Sequence, residues 1–231
     1  MSLIIISFIH HGHTIELNNK NQLGFIHKFI PPESPKNNNS LTLLLLHGTG
    51  GEENDLIPIA KMLEITNASI LSPRGKVLEN GMPRFFRRLA EGVFDIEDLK
   101  FRTNELADFV QNASIRYAFD LNRIMAIGYS NGANIAASVL LLRPEILSNA
   151  ILFRPMIPLI PDTLPDLSDK HILISAGSYD PIVPRQQTED LFDLLRKAGA
   201  NVSIQWQNSG HELTQRDVKV ARNWVASELP V

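Results

Sequence analysis

Gly128-Tyr129-Ser130-Asn131-Gly132 joins two segments with no residue to spare. Before it runs Arg123-Ile124-Met125-Ala126-Ile127, and after it Ala133-Asn134-Ile135-Ala136-Ala137-Ser138-Val139-Leu140. The first reads as a strand and the second as a helix. A strand that passes into a helix within five residues needs a sharp, strained turn at the mouth of a parallel sheet. The flanking glycines fit that crowding, because a Cβ on either would meet the neighbouring strand or helix. Ser130, at the apex, becomes a nucleophile candidate.

The rest of the chain repeats the pattern. Apolar runs at 41–46, 68–72, 123–129, 150–153, 171–176 and 202–206 read as strands, and the unbroken Leu41-Thr42-Leu43-Leu44-Leu45-Leu46 suits one buried on both faces. Helical patterns at 54–64, 97–117, 131–142, 185–198 and 215–227 alternate with them. This predicts an α/β architecture: a mostly parallel central sheet with helices on both faces. A β-rich start at 3–16 and 23–30 predicts antiparallel strands at one edge. The polar stretch 31–39 is too short for a domain linker. The expectation is one domain over residues 1–231, with 1–40 a β-rich extension packed on it. Segments 76–96 and 154–169 break the alternation and carry Met, Phe and Ile, which predicts functional loops.

A serine needs a base, and the base needs a carboxylate to orient it. The expected order along the chain is Ser, Asp or Glu, His. Gly177-Ser178-Tyr179-Asp180-Pro181 follows the run 171–176, which selects Asp180. Ser209-Gly210-His211-Glu212 follows the last strand, which selects His211. Both lie past C-terminal strand ends, where open parallel sheets place ligands. For the oxyanion, the backbone N–H groups of Asn131 and of Thr49, in His47-Gly48-Thr49-Gly50-Gly51, are the candidates. His47 reads as a support for the glycine loop. Glu52-Glu53-Asn54-Asp55 reads as a helix N-terminus.

These four motifs, in this order, resemble the α/β-hydrolase superfamily and, within it, the phospholipase/carboxylesterase family of small serine esterases. Ser72-Pro73-Arg74-Gly75 with Glu79-Asn80-Gly81-Met82-Pro83-Arg84-Phe85-Phe86 is similar to a subgroup of bacterial hydrolases, some associated with quinone stress. The resemblance covers Leu41 to the C-terminus. It implies the α/β-hydrolase fold and hydrolysis of acyl esters or thioesters without a cofactor.

On this reading Ser130, Asp180 and His211 are catalytic, and Thr49 and Asn131 form the oxyanion hole. The two long loops would cover the nucleophile. Phe85, Phe86, Met156 and Ile157 are expected to include acyl-contacting residues, and Arg74 or Arg84 to orient the polar end of the substrate. A ligand-binding protein without turnover, or a hydrolase of lactones or C–C bonds, are the alternatives.

Composition narrows the classes further. With no cysteine, disulfides, thiolate catalysis and Cys-ligated metals are excluded. A formal net charge of -3 offers no basic field for nucleic acid or an anionic membrane. No run reaches the roughly 20 apolar residues of a membrane span, and the apolar start lacks a basic leader and a cleavage site. The expectation is a cytoplasmic protein with a small-molecule ester or thioester substrate. His10, His11 and His13 lack a nearby carboxylate or thiolate partner and are not expected to hold a metal. A homodimer is compatible with the sequence, which does not specify the oligomeric state.

Overall fold

The structure, a computed structural model, describes residues 23–34 and 40–228. The strand expected at 3–16 and the three N-terminal histidines lie outside these residues.

In chain order the elements are β1 (His27–Ile30), β2 (Thr42–Leu46), α1 (Ile57–Met62) and β3 (Ser69–Pro73). Then follow β4 (Val77–Glu79), β5 (Met82–Arg84), β6 (Arg88–Ala90), β7 (Val93–Phe94) and α2 (Ile96–Tyr117). The second half holds β8 (Ile124–Tyr129), α3 (Asn131–Leu142), β9 (Asn149–Phe153), β10 (His171–Gly177), α4 (Arg185–Lys197), β11 (Asn201–Gln207) and α5 (Gln215–Glu228).

Seven strands form one sheet in the order β1-β3-β2-β8-β9-β10-β11. All neighbours are parallel except β1, which runs antiparallel to β3 at the edge. The chain moves outward from β2 to β3, then returns to place β8 on the other side of β2. Loops leaving β2 and β8 therefore diverge and open a crevice at their C-terminal ends, the usual ligand position in such sheets.

The apolar strands are explained by burial on two faces. Leu44, Leu46, Ala126, Ile172 and Ile174 pack into one core with α2, α3 and α4. Their neighbours Leu43, Leu45, Met125, Ile127 and Leu173 pack into a second core with α1 and α5. Side chains of a strand alternate faces, so a sheet covered on both sides needs apolar residues at every position. Helix α2 starts at Asp95, whose carboxylate accepts the Asp98 N–H at 3.1 Å, and ends at Ala118 in the left-handed region, φ 55°. Among the described residues, no helix is long and apolar enough to cross a membrane.

Segment 76–96 is more ordered than an irregular loop. β4 and β5 form an antiparallel hairpin, as do β6 and β7. Asn80 and Gly81 turn the first with φ 53° and 79°, the paired positive values that suit a two-residue hairpin. Segment 154–169 has no helix or strand, as expected of its four prolines.

Candidate active site

The turn after β8 has the strain its sequence demanded. Ser130 sits at φ 52°, ψ −115°, a conformation unfavourable for a residue with a side chain. It is held from both sides: its N–H donates to Phe153 O at 2.9 Å, and its carbonyl accepts the Asn134 N–H at 2.9 Å. A Cβ on Gly132 would lie 1.9 Å from Leu46 O, and one on Gly128 would lie 2.6 Å from Gly132 O. The glycines let α3 start directly against β2.

Three expected residues meet here. His211 Nε2 is 2.9 Å from Ser130 Oγ, and His211 Nδ1 is 2.8 Å from Asp180 Oδ2. Nδ1 faces a carboxylate and must carry the proton, so Nε2 accepts from the serine hydroxyl. The other Asp180 oxygen accepts the N–H groups of Ile182 at 2.8 Å and Val183 at 3.0 Å, which leaves Oδ2 aimed at the imidazole.

The loop after β2 offers the second half. Gly50 N–H is committed to Pro83 O at 2.9 Å, and Gly51 N–H to Gly48 O at 3.1 Å. Among the described residues, the Thr49 and Asn131 N–H groups have no protein acceptor. His47 braces this loop. Its Nδ1–H donates to Gly48 O at 2.6 Å, and its Nε2 accepts the Gly75 N–H at 2.9 Å. Burial pushes the imidazole below its ordinary pKa, outweighing the raising effects of Gly48 O and nearby carboxylates. A neutral ring is also what the Gly75 bond requires.

Sequence reasoning passed over the residues that hold the His211 loop. Arg154, at φ 55° just past β9, is 1% exposed. Its guanidinium grips Asp217 through two bonds, Nη1–Oδ1 at 2.7 Å and Nη2–Oδ2 at 2.9 Å. It also donates to Gly210 O at 3.0 Å and Glu212 O at 2.8 Å, the carbonyls on either side of His211, and to Ser209 Oγ and Ser175 O. Burial raises the Asp217 pKa, but bonds from Arg154, Ser175 and Thr214 outweigh it and hold the carboxyl below its usual range. Tyr129 adds a bond from its hydroxyl to His211 O at 3.1 Å. The only signal for Arg154 was an arginine set directly after an apolar strand. Its partner lies 63 residues later.

A cavity of about 40 Å³ opens beside Ser130, lined by Thr49, Arg84, Arg88, Asn131, Asn134 and Met156 among others. Met156 and Arg84 thus stand where a bound group could touch them. Phe85 and Phe86 do not line this cavity. At 2% and 0% exposure they are core, Phe86 perpendicular to Phe94 and Phe85 against the His47 ring. Ile157 likewise packs on the core. Arg74 is drawn away by Glu53, at 2.6 Å, and Glu52, at 3.0 Å. These four lack access to the cavity for that reason. Among the described residues, no group of three metal-ligating side chains converges.

The chain is similar to known proteins over most of its length. The phospholipase/carboxylesterase family model matches residues 29–229. A Bacillus subtilis (strain 168) protein, MhqD, provisionally named a hydrolase, is 50% identical over 182 residues, 79% of this chain and 90% of its own. The crystal structure of a Bacillus cereus carboxylesterase is 50% identical and superposes with a TM-score of 0.83, covering 87% of this chain and 93% of that one. A Mesorhizobium loti carboxylesterase is 32% identical with a TM-score of 0.80, covering 89% and 96%.

Proposed function

The chain belongs to the phospholipase/carboxylesterase family, and on that premise we propose that it cleaves carboxylic esters or thioesters through an acyl-enzyme on Ser130. One observation carries the reading: a continuous hydrogen-bonded line from Ser130 Oγ through both nitrogens of His211 to Asp180.

Ser130 Oγ attacks the acyl carbonyl while its proton passes to His211 Nε2. The Asp180 carboxylate stabilises the imidazolium and keeps Nδ1 protonated. Charge on the carbonyl oxygen is met by the Thr49 and Asn131 N–H groups. The tetrahedral adduct collapses, the bond to the alcohol or thiol breaks, and the leaving group takes the proton from Nε2. Water then attacks the acyl-enzyme, gives its proton to His211, and the acid departs as that proton returns to Ser130 Oγ.

The test is labelling with a fluorophosphonate, followed by turnover of a panel of esters, acyl-thioesters and lactones. Expected are a phosphonylated Ser130, no labelling of a folded Ser130→Ala protein, and hydrolysis of esters or thioesters. A folded wild-type protein whose Ser130 resists the probe would sink the proposal and leave a ligand-binding protein.

A further inference from the structure

The acyl group can be specified further, on the assumption that Ser130 is the nucleophile. The leaving group must lie where His211 can protonate it. His211 does not line the cavity beside Ser130, whereas Thr49 and Asn131 do. With the carbonyl oxygen on those N–H groups, the acyl chain is the part that enters the cavity.

The space is small, half open to solvent, and its wall mixes polar and apolar groups. About 40 Å³ holds roughly three waters, or a chain of a few heavy atoms. Asn134, one turn into α3, is 5% exposed and lines it. The Met156 N–H donates to Asn134 Oδ1 at 2.8 Å, which fixes the orientation of the amide. Nδ2 is the end left over. Among the described residues it has no protein acceptor, in a side chain otherwise enclosed. That donor opens to the cavity rather than being sealed in the core, so it goes unpaired only when a ligand covers it without supplying an acceptor, which costs free energy.

Across the cavity stand Arg84 and Arg88, which share one carboxylate, Glu79, at 2.8 Å each. Two guanidiniums on one carboxylate leave donors to spare at the wall. Met156, Phe94, Ile182 and Val183 add apolar surface to the lining, and Glu91 lies at an exposed position on it. An all-carbon chain would fill the volume but leave the Asn134 donor unpaired.

We propose that the acyl site is built for a short acid bearing its own hydrogen-bond acceptor, a carbonyl or carboxylate group whose carbon lies three atoms beyond the scissile carbonyl carbon, with Asn134 Nδ2 as the donor that reads it. Asn134 is then a specificity residue.

The test compares three ethyl esters of nearly equal size: ethyl 4-methylpentanoate, ethyl 4-oxopentanoate and monoethyl succinate. Wild-type protein should favour at least one of the acceptor-bearing esters over ethyl 4-methylpentanoate by about 10-fold or more in kcat/KM. A larger gain for the succinate would add the arginines as readers, and a larger gain for the ketone would assign the selectivity to Asn134 alone. Asn134→Asp keeps the acceptor for Met156 N–H but removes the donor, and should erase the preference for the ketone. Asn134→Leu, which keeps the branched shape but is bulkier and uncharged, should do the same and guards against an effect of the added charge.

Equal efficiency on all three esters, or a preference that survives in both folded variants, would overturn the proposal. Fluorophosphonate labelling of Ser130 separates the two failures. A labelled protein without the preference has lost only the subsite, whereas an unlabelled, inactive one has lost the nucleophile as well.

Discussion

Separating Arg154 from Asp217 should damage stability and turnover by different routes, and the two can be told apart. Both side chains of this pair are 0% exposed. Asp217→Asn preserves the shape but leaves a guanidinium buried without a counter-charge. Removing one member of such a pair costs about 3–5 kcal/mol. For a chain of this length that lowers Tm by about 6–20 °C. Arg154→Met strands the carboxylate instead, with Ser175 and Thr214 as its remaining partners, and should fall in the same range.

The double variant Arg154→Met/Asp217→Leu removes both charges, and apolar replacement of a buried pair is often neutral or stabilising. It should recover most of the lost Tm. Turnover should not follow, because Gly210 O and Glu212 O have still lost the donor that fixes the backbone around His211, and small misplacements of a catalytic group cost up to about 100-fold. Thermal unfolding by circular dichroism and kcat on one activated ester decide it. Single variants that melt within about 2 °C of wild type would refute the energetic argument. A double variant with full kcat would refute the positioning role.

Asp180→Asn and His211→Ala should each remove most ester hydrolysis, and combining them should cost little more, since groups that act as a unit do not add. Additive losses in kcat would show that one of the two is misassigned. His47 governs a different pH window. Its folded pKa lies below its unfolded value, near 6.5, so below that pH the unfolded chain binds a proton that the folded one refuses. Stability should therefore fall as pH drops from about 6.5 towards the folded pKa, and His47→Gln should show a flatter profile in urea midpoints. Identical slopes for the two proteins would exclude His47 as the source.

The legible parts of the chain were those where one local pattern answers to one cause. Leu41 to Leu46 announced a strand because burial on two faces permits no polar position except Thr42, whose hydroxyl pairs with Ser69 Oγ at 2.8 Å. Asp180 and His211 were legible as candidates because each lies in a short loop a few residues past a strand end. The elements of segment 76–96 were missed because three-residue and two-residue strands are too short to show a period, although Asn80-Gly81 carried the turn signal. Phe85 and Phe86 read equally well as core or as cavity wall, and only the packing against His47 and Phe94 decides for core. Arg154, Asp217 and Asn134 act through partners distant in sequence. No spacing rule connects an arginine after β9 to an aspartate in the first turn of α5.

The contact between Gly132 and Leu46 O has a consequence for how the site can vary. Thr49 and Asn131 lie on different segments, yet their separation is governed by main chain touching main chain where α3 abuts the end of β2. Side chains in either core can then be exchanged, enlarged or lost, with stability rising and falling, while the two N–H groups keep their spacing. Heritable change in the body of the molecule is decoupled from the dimension that a carbonyl oxygen would sense. The cavity wall, drawn from hairpin residues and α3 side chains, has no such protection, so selection can retune what is bound far more readily than how it is held.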